Sequence, residues 1–166
     1  MPDTQHFTAE INNMPNNQSL DFYRSVEGHA ARRAAERMSD ALLVRLRDAN
    51  RAIGAAVRAT PPDVEGFLEG NREFHAIILQ AAASPRLAAL LGTLIEQPVI
   101  WRTAHHYGRE ALLRSFGEHD ELLAAFARRD GPWAEAVMAA HIRRAYHAYA
   151  DAHTGLTEID RQVAHG

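Results

Sequence analysis

The sequence predicts an all-α fold, an antiparallel bundle of about six helices in one domain. Apolar residues recur at steps of three and four through most of the 166 residues, and no segment shows the alternation that marks a strand. Cap and proline signals divide the chain at short intervals, and short turns make consecutive helices antiparallel. A chain of this length can bury a sufficient core without disulfides, and it contains no cysteine.

Local signals mark where the helices begin. Ser39 can cap the second helix, and Asp63 can open the third after a run of two prolines. Ser84-Pro85 and Asp130-Gly131-Pro132 repeat the cap-then-proline signal before the fourth and sixth helices. Pro98 is expected to kink the fourth helix, because proline removes a backbone donor.

These breaks give the predicted organisation of the chain. The polar segment 1–19 is expected to be a flexible lead-in, 20–153 a helical domain, and 154–166 a C-terminal tail. The helices are expected at about 19–38, 40–59, 63–83, 86–108, 116–129 and 133–152.

Charge and hydropathy exclude several classes of partner. The net charge is −3 and every basic residue is an arginine, so no nucleic-acid partner is expected for this chain alone. No apolar run approaches the roughly 20 residues of a membrane span, and no secretion signal begins the chain. We expect a soluble cytoplasmic protein.

Polar side chains interrupt the apolar face of the third helix. Phe67, Phe74 and Ile78 recur at helical spacing, and Asn71 falls within the same series. His75 lies one turn after Asn71, so both side chains can reach one point. A buried amide or imidazole needs a partner, because an unsatisfied polar group in a core costs roughly 1–3 kcal/mol.

Two later helices carry the same feature. His119 lies on the apolar stripe of the fifth helix and His141 on that of the sixth. A single histidine on such a stripe is usually a satisfied core residue, but three on separate helices favour another reading. Neutral imidazoles that converge in a bundle can bind a first-row metal ion. Because such ligands must be unprotonated, metal affinity is expected to fall as the pH drops through about 6.5.

The three histidine motifs also resemble those of a known family. The order NREFHAIILQAAASPRLAALL, GEHDELLAAFARRD and AVMAAHIRRAY is similar to the FCD domain, the effector-binding domain of one branch of GntR-type transcription regulators. SVEGHAARRAAERM resembles the first helix of that domain. The resemblance implies a divalent metal ion, zinc first and nickel, manganese or iron as alternatives. Its implied ligands are Asn71, His75, His119 and His141, and Asn71 stands where the family commonly has aspartate.

The resemblance also implies a small organic acid as the ligand. An amide in place of aspartate leaves the full charge of the ion, and such a centre should attract a carboxylate. Arg102 stands where similar domains have an arginine that faces the pocket, and its guanidinium could hold a second carboxylate. Further candidates for contact with the ligand are His29, His105, His106 and Tyr107.

Three functions remain open at this level. The first is a sensing domain, expected to form a homodimer, although the polar lead-in leaves no room for the winged helix-turn-helix of a GntR-type regulator. The second is a stand-alone metal-dependent enzyme or lyase, with His105, His106, Tyr107 or Glu118 as general acid or base. The third is a bundle that the metal merely stabilises. No nucleophile motif or phosphate loop specifies a reaction.

Overall fold

Six helices make up the part of the chain that the computed structural model describes, residues 16–94 and 108–163. Burial is described for residues 21–91 and 108–148. The helices are α1 (Asn16–Arg37), α2 (Asp40–Arg58), α3 (Val64–Ala82), α4 (Pro85–Leu94), α5 (Arg109–Ala127) and α6 (Gly131–Val163). The described ranges contain no strand, so the predicted all-α class is confirmed there.

The predicted N-caps form as the sequence indicates. Each capping side chain accepts a hydrogen bond from the backbone N–H three residues later, at 2.9 to 3.3 Å. The four capping residues are Ser39, Asp63, Ser84 and Asp130. These bonds satisfy backbone donors that a helix start would otherwise leave without partners.

The bounds of the later helices differ from the prediction. The start of α5 near residue 116 is wrong, because α5 begins at Arg109. Gly108 provides no side-chain cap there; instead the Arg109 guanidinium donates to the carbonyl oxygens of Val57 and Ala59 at the end of α2, at 3.4 and 2.7 Å. Helix α6 continues to Val163, past the predicted end at residue 152. Pro98 and the expected kink lie outside the described residues.

The core forms where α1 packs against α3 and α6, and where α2 and α5 close the bundle. Small residues on α1 allow a close approach to α6, and a Cβ at Gly28 would lie 3.3 Å from the carbonyl oxygen of Glu135. Within the described ranges, none of the helices combines the length and the apolarity that a membrane crossing requires. Among the residues whose burial is described, five polar ones are buried: Glu27, Asn50, Glu118, His119 and His141.

Candidate metal centre

Three helices bring one histidine each to a common point. His75 on α3, His119 on α5 and His141 on α6 each offer a ring nitrogen, and these nitrogens lie within 4.8 Å of one another. The ring centroids are 4.9 to 5.7 Å apart. The predicted convergence of the three histidines, here called the histidine cluster, is therefore confirmed, and the cluster could hold a metal ion.

His119 is the most deeply placed member of the histidine cluster. Its side chain is fully buried and stacks on Phe74, with centroids 4.3 Å apart and an interplanar angle of 18°. Neither ring nitrogen has a hydrogen-bond partner within the described part of the protein. Because such a buried polar group costs roughly 1–3 kcal/mol, a ligand that used the free lone pair would be favoured.

His141 on α6 contacts an acidic residue of the preceding helix, α5. Its Nδ1 lies 2.6 Å from Oε2 of Glu118, which is itself buried. The other carboxylate oxygen, Oε1, accepts a hydrogen bond from Nε of Arg144. If Nδ1–H donates to Glu118, the lone pair of the neutral ring is on Nε2, the remaining nitrogen that can bind a metal.

The charge states of the buried groups suit cation binding. Burial, and after it the neighbouring His141, lowers the pKa of His75 to about 3. Burial and the His141 and His75 rings lower the pKa of His119 well below its usual value. Burial raises the pKa of Glu118, but hydrogen bonds and charge from His141 and Arg144 outweigh it and hold the pKa below its ordinary value. At neutral pH, His75 and His119 are thus neutral and Glu118 is ionised.

These pKa values modify the expected pH dependence of metal binding. His75 and His119 do not take up protons near pH 6.5 in the folded protein, because burial disfavours their charged forms. At these two rings, protons therefore compete with a metal ion only at a lower pH than the value of about 6.5 that is expected for an exposed histidine.

The donor set fits a first-row divalent ion. Imidazole nitrogens suit zinc, nickel and iron, and at a metal–nitrogen distance of about 2.1 Å two tetrahedral ligands lie about 3.4 Å apart. The nitrogens of the histidine cluster lie within 4.8 Å of one another, so movements of about 1 Å in the side chains would bring them to that spacing. Such an ion would provide a partner for one of the two ring nitrogens of His119 that lack one among the described residues.

The other predicted site residues have different positions. Asn71 is partly buried on α3, one turn before His75, and its role as a ligand stays a prediction. His29 is exposed on α1 and is not one of the residues that converge with the histidine cluster. Four candidates for contact with the ligand lie outside the described residues: Arg102, His105, His106 and Tyr107.

Two residues near the cluster have roles that the sequence did not reveal. Glu118 was a candidate general acid or base, but both of its oxygens are engaged by His141 and Arg144. The side chain of Arg144 is 46% exposed, but its Nε donates to the buried carboxylate of Glu118. The available signal was the position of Glu118 directly before His119, but its partners lie 23 and 26 residues away.

The fold and the site together define a class of protein, a helical bundle whose facing helices place polar ligand groups in the interior. The model of the FCD domain family matches residues 18–144, a range that contains the three residues of the histidine cluster. The chain belongs to the FCD domain family, and the resemblance seen in the sequence is confirmed. A comparison with curated proteins found no match.

Proposed function

We propose that this FCD domain binds a small carboxylate effector through a divalent metal ion held by His75, His119 and His141. Asn71 is the proposed fourth ligand, and zinc is the first choice of metal, with nickel, manganese or iron as alternatives. The observation that carries the proposal is the convergence of three imidazoles, one of them buried with no partner for either ring nitrogen among the described residues.

The charge states and the orientation of the histidines suit the binding of a cation. His75 and His119 offer neutral imidazoles, since burial lowers their pKa values. Glu118 contacts His141 at Nδ1, on the side of the ring away from Nε2. A bound divalent ion would supply positive charge and open coordination positions to an oxygen donor.

The net charge of the proposed site favours an anionic ligand. Three neutral imidazoles and the amide of Asn71 leave the charge of a divalent ion uncompensated by its ligands. A carboxylate is the simplest organic group that matches this charge and coordinates through oxygen. Arg102 is proposed to hold a second carboxylate of the same molecule, because the guanidinium binds carboxylates in a bidentate manner.

Titration calorimetry on metal-loaded and chelated protein tests the proposal. Small mono- and dicarboxylic acids should bind the metal-loaded protein, whereas the corresponding amides should not. Chelation, or the change His119→Ala, should abolish carboxylate binding. The variant His147→Ala should retain it, because His147 is exposed on the same helix as His141. Equal binding of a carboxylate with and without metal would contradict the proposal.

The same samples separate a sensor from a metal-dependent enzyme or lyase. A sensing domain returns its ligand unchanged, so mass spectrometry after incubation should recover the acid intact. The engagement of both Glu118 oxygens favours this outcome, because that carboxylate is not free to take a proton from a substrate. A metal-dependent product at more than one turnover per chain would refute the sensor and support the enzyme.

A further inference from the structure

A buried carboxylate connects the histidine cluster to the surface of the protein. Glu118 lies between α5 and α6 with its side chain 10% exposed, and the side chain of Arg144 is 46% exposed. Glu118 accepts from Arg144 through Oε1 and contacts His141 Nδ1 through Oε2, at 2.6 Å. A charged residue at this depth needs compensation, and both partners supply it.

We propose that Glu118 and Arg144 are positioning residues, which fix the tautomer and the ring orientation of His141 for metal binding. The inference rests on the proposed metal site. A neutral imidazole carries one ring proton, and a carboxylate at Nδ1 places that proton on Nδ1. The lone pair then lies on Nε2, and the hydrogen bond prevents the ring from rotating away from His75 and His119.

Arg144 completes the arrangement from the solvent side. Its hydrogen bond to Oε1 orients the carboxylate so that Oε2 faces His141. A guanidinium donor to a carboxylate is a charge-assisted contact, which is stronger than a neutral hydrogen bond. Arg143 is the adjacent residue on α6 and is exposed, so it offers a matched control with the same side chain on the same turn.

Zinc affinity, measured by competition with a chromophoric chelator, gives the first readout. Removing a group that orients a metal-binding histidine typically lowers metal affinity by about 10- to 100-fold, and Glu118→Ala should fall in that range. Glu118→Gln should lose less, because its amide oxygen can still accept from Nδ1–H. Arg144→Ala should weaken zinc binding and Arg143→Ala should leave it unchanged.

The tautomer of His141 in metal-free protein gives the second readout, which a merely structural role would not change. Nitrogen-15 NMR of the full chain, at a pH high enough that the His141 ring is neutral, should show the Nδ1–H form in the wild type and in Arg143→Ala. The Nε2–H form should gain population in Glu118→Ala and, to a smaller extent, in Arg144→Ala. If Glu118→Ala does not fold, zinc affinity and the tautomer of His141 are measured on Glu118→Gln and Arg144→Ala instead.

The two readouts distinguish this inference from the proposed function. Wild-type protein that binds no zinc would refute the proposed metal site and, with it, the positioning of His141 for metal. Wild-type protein that binds zinc, with affinity and tautomer unchanged in Glu118→Ala, Glu118→Gln and Arg144→Ala, would overturn the positioning role alone. Loss of zinc affinity in Arg143→Ala equal to that in Arg144→Ala would also overturn it.

Discussion

Replacement of Glu27 by glutamine is expected to change the pH dependence of stability. Glu27 lies on α1 with 1% of its surface exposed, and the Tyr23 hydroxyl donates to its Oε1 at 3.1 Å. Burial raises the pKa of Glu27 to about 7, although the hydrogen bond from Tyr23 acts in the opposite direction. The folded protein therefore holds the Glu27 proton at pH values where an unfolded chain has released it.

The size of the effect follows from the two pKa values. The difference between 4.5 and about 7 corresponds to about 3 kcal/mol at 1.36 kcal/mol per pH unit. Because the folded-state pKa is the higher one, the stabilising contribution is complete below about pH 4.5 and is lost as the pH rises to about 7. Glutamine keeps the shape and an acceptor for Tyr23 but has no proton to lose.

Urea denaturation of chelated wild type and Glu27→Gln, followed by circular dichroism between about pH 5 and pH 8, measures this effect. The variant should gain up to about 3 kcal/mol over the wild type across that range, with the gain largest at high pH. Contributions from the histidines are common to both proteins and cancel in the difference. A difference in unfolding free energy that stays constant from pH 5 to pH 8 would refute the reasoning.

Three further predictions concern the histidines, Asn71 and the helix contacts. In chelated Glu27→Gln protein, urea titrations should show stability falling as the pH drops below about 6.5, because the unfolded chain takes up protons that folded His75 and His119 exclude; a flat profile would contradict this. Asn71→Asp should tighten metal binding and weaken carboxylate binding in calorimetry, since two charges about 4 Å apart interact by roughly 4 kcal/mol at an effective dielectric near 20; unchanged affinities would exclude Asn71 as a ligand. Gly70→Ala should lower the melting temperature and reduce the free energy of unfolding by about 1–3 kcal/mol, because the added Cβ would lie 2.7 Å from Cγ1 of Ile53 on α2. A variant as stable as the wild type would show that Ile53 can move to make room.

The sequence predicts those features of the fold that depend on interactions between residues close together in the chain. Ser39 and Asp63 cap their own helices, so a signal of a few residues was sufficient. At the start of α5, Gly108 provides no side-chain cap, and Arg109 contacts carbonyl groups that precede it by about 50 residues in the chain. A contact between residues so far apart in the chain leaves no local sequence pattern, and the predicted start of α5 near residue 116 is too late.

The same distinction applies to the site. His119 and His141 were found because imidazoles on apolar stripes are visible in the sequence. The contacts of Glu118 depend on how α5 and α6 pack, and adjacency to His119 does not indicate which helix it faces. Glu27 also lies on a buried stripe, but glutamate normally faces solvent, and its burial became evident from the packing of α1.

Elemental analysis of purified protein tests the central claim, that the histidine cluster holds a divalent metal ion. The wild type and the control His147→Ala should each contain about one divalent ion per chain. His75→Ala, His119→Ala and His141→Ala should each lose most of that metal, because every one removes a nitrogen that lies within 4.8 Å of the other two. Metal content that is unchanged in all three variants would contradict the claim.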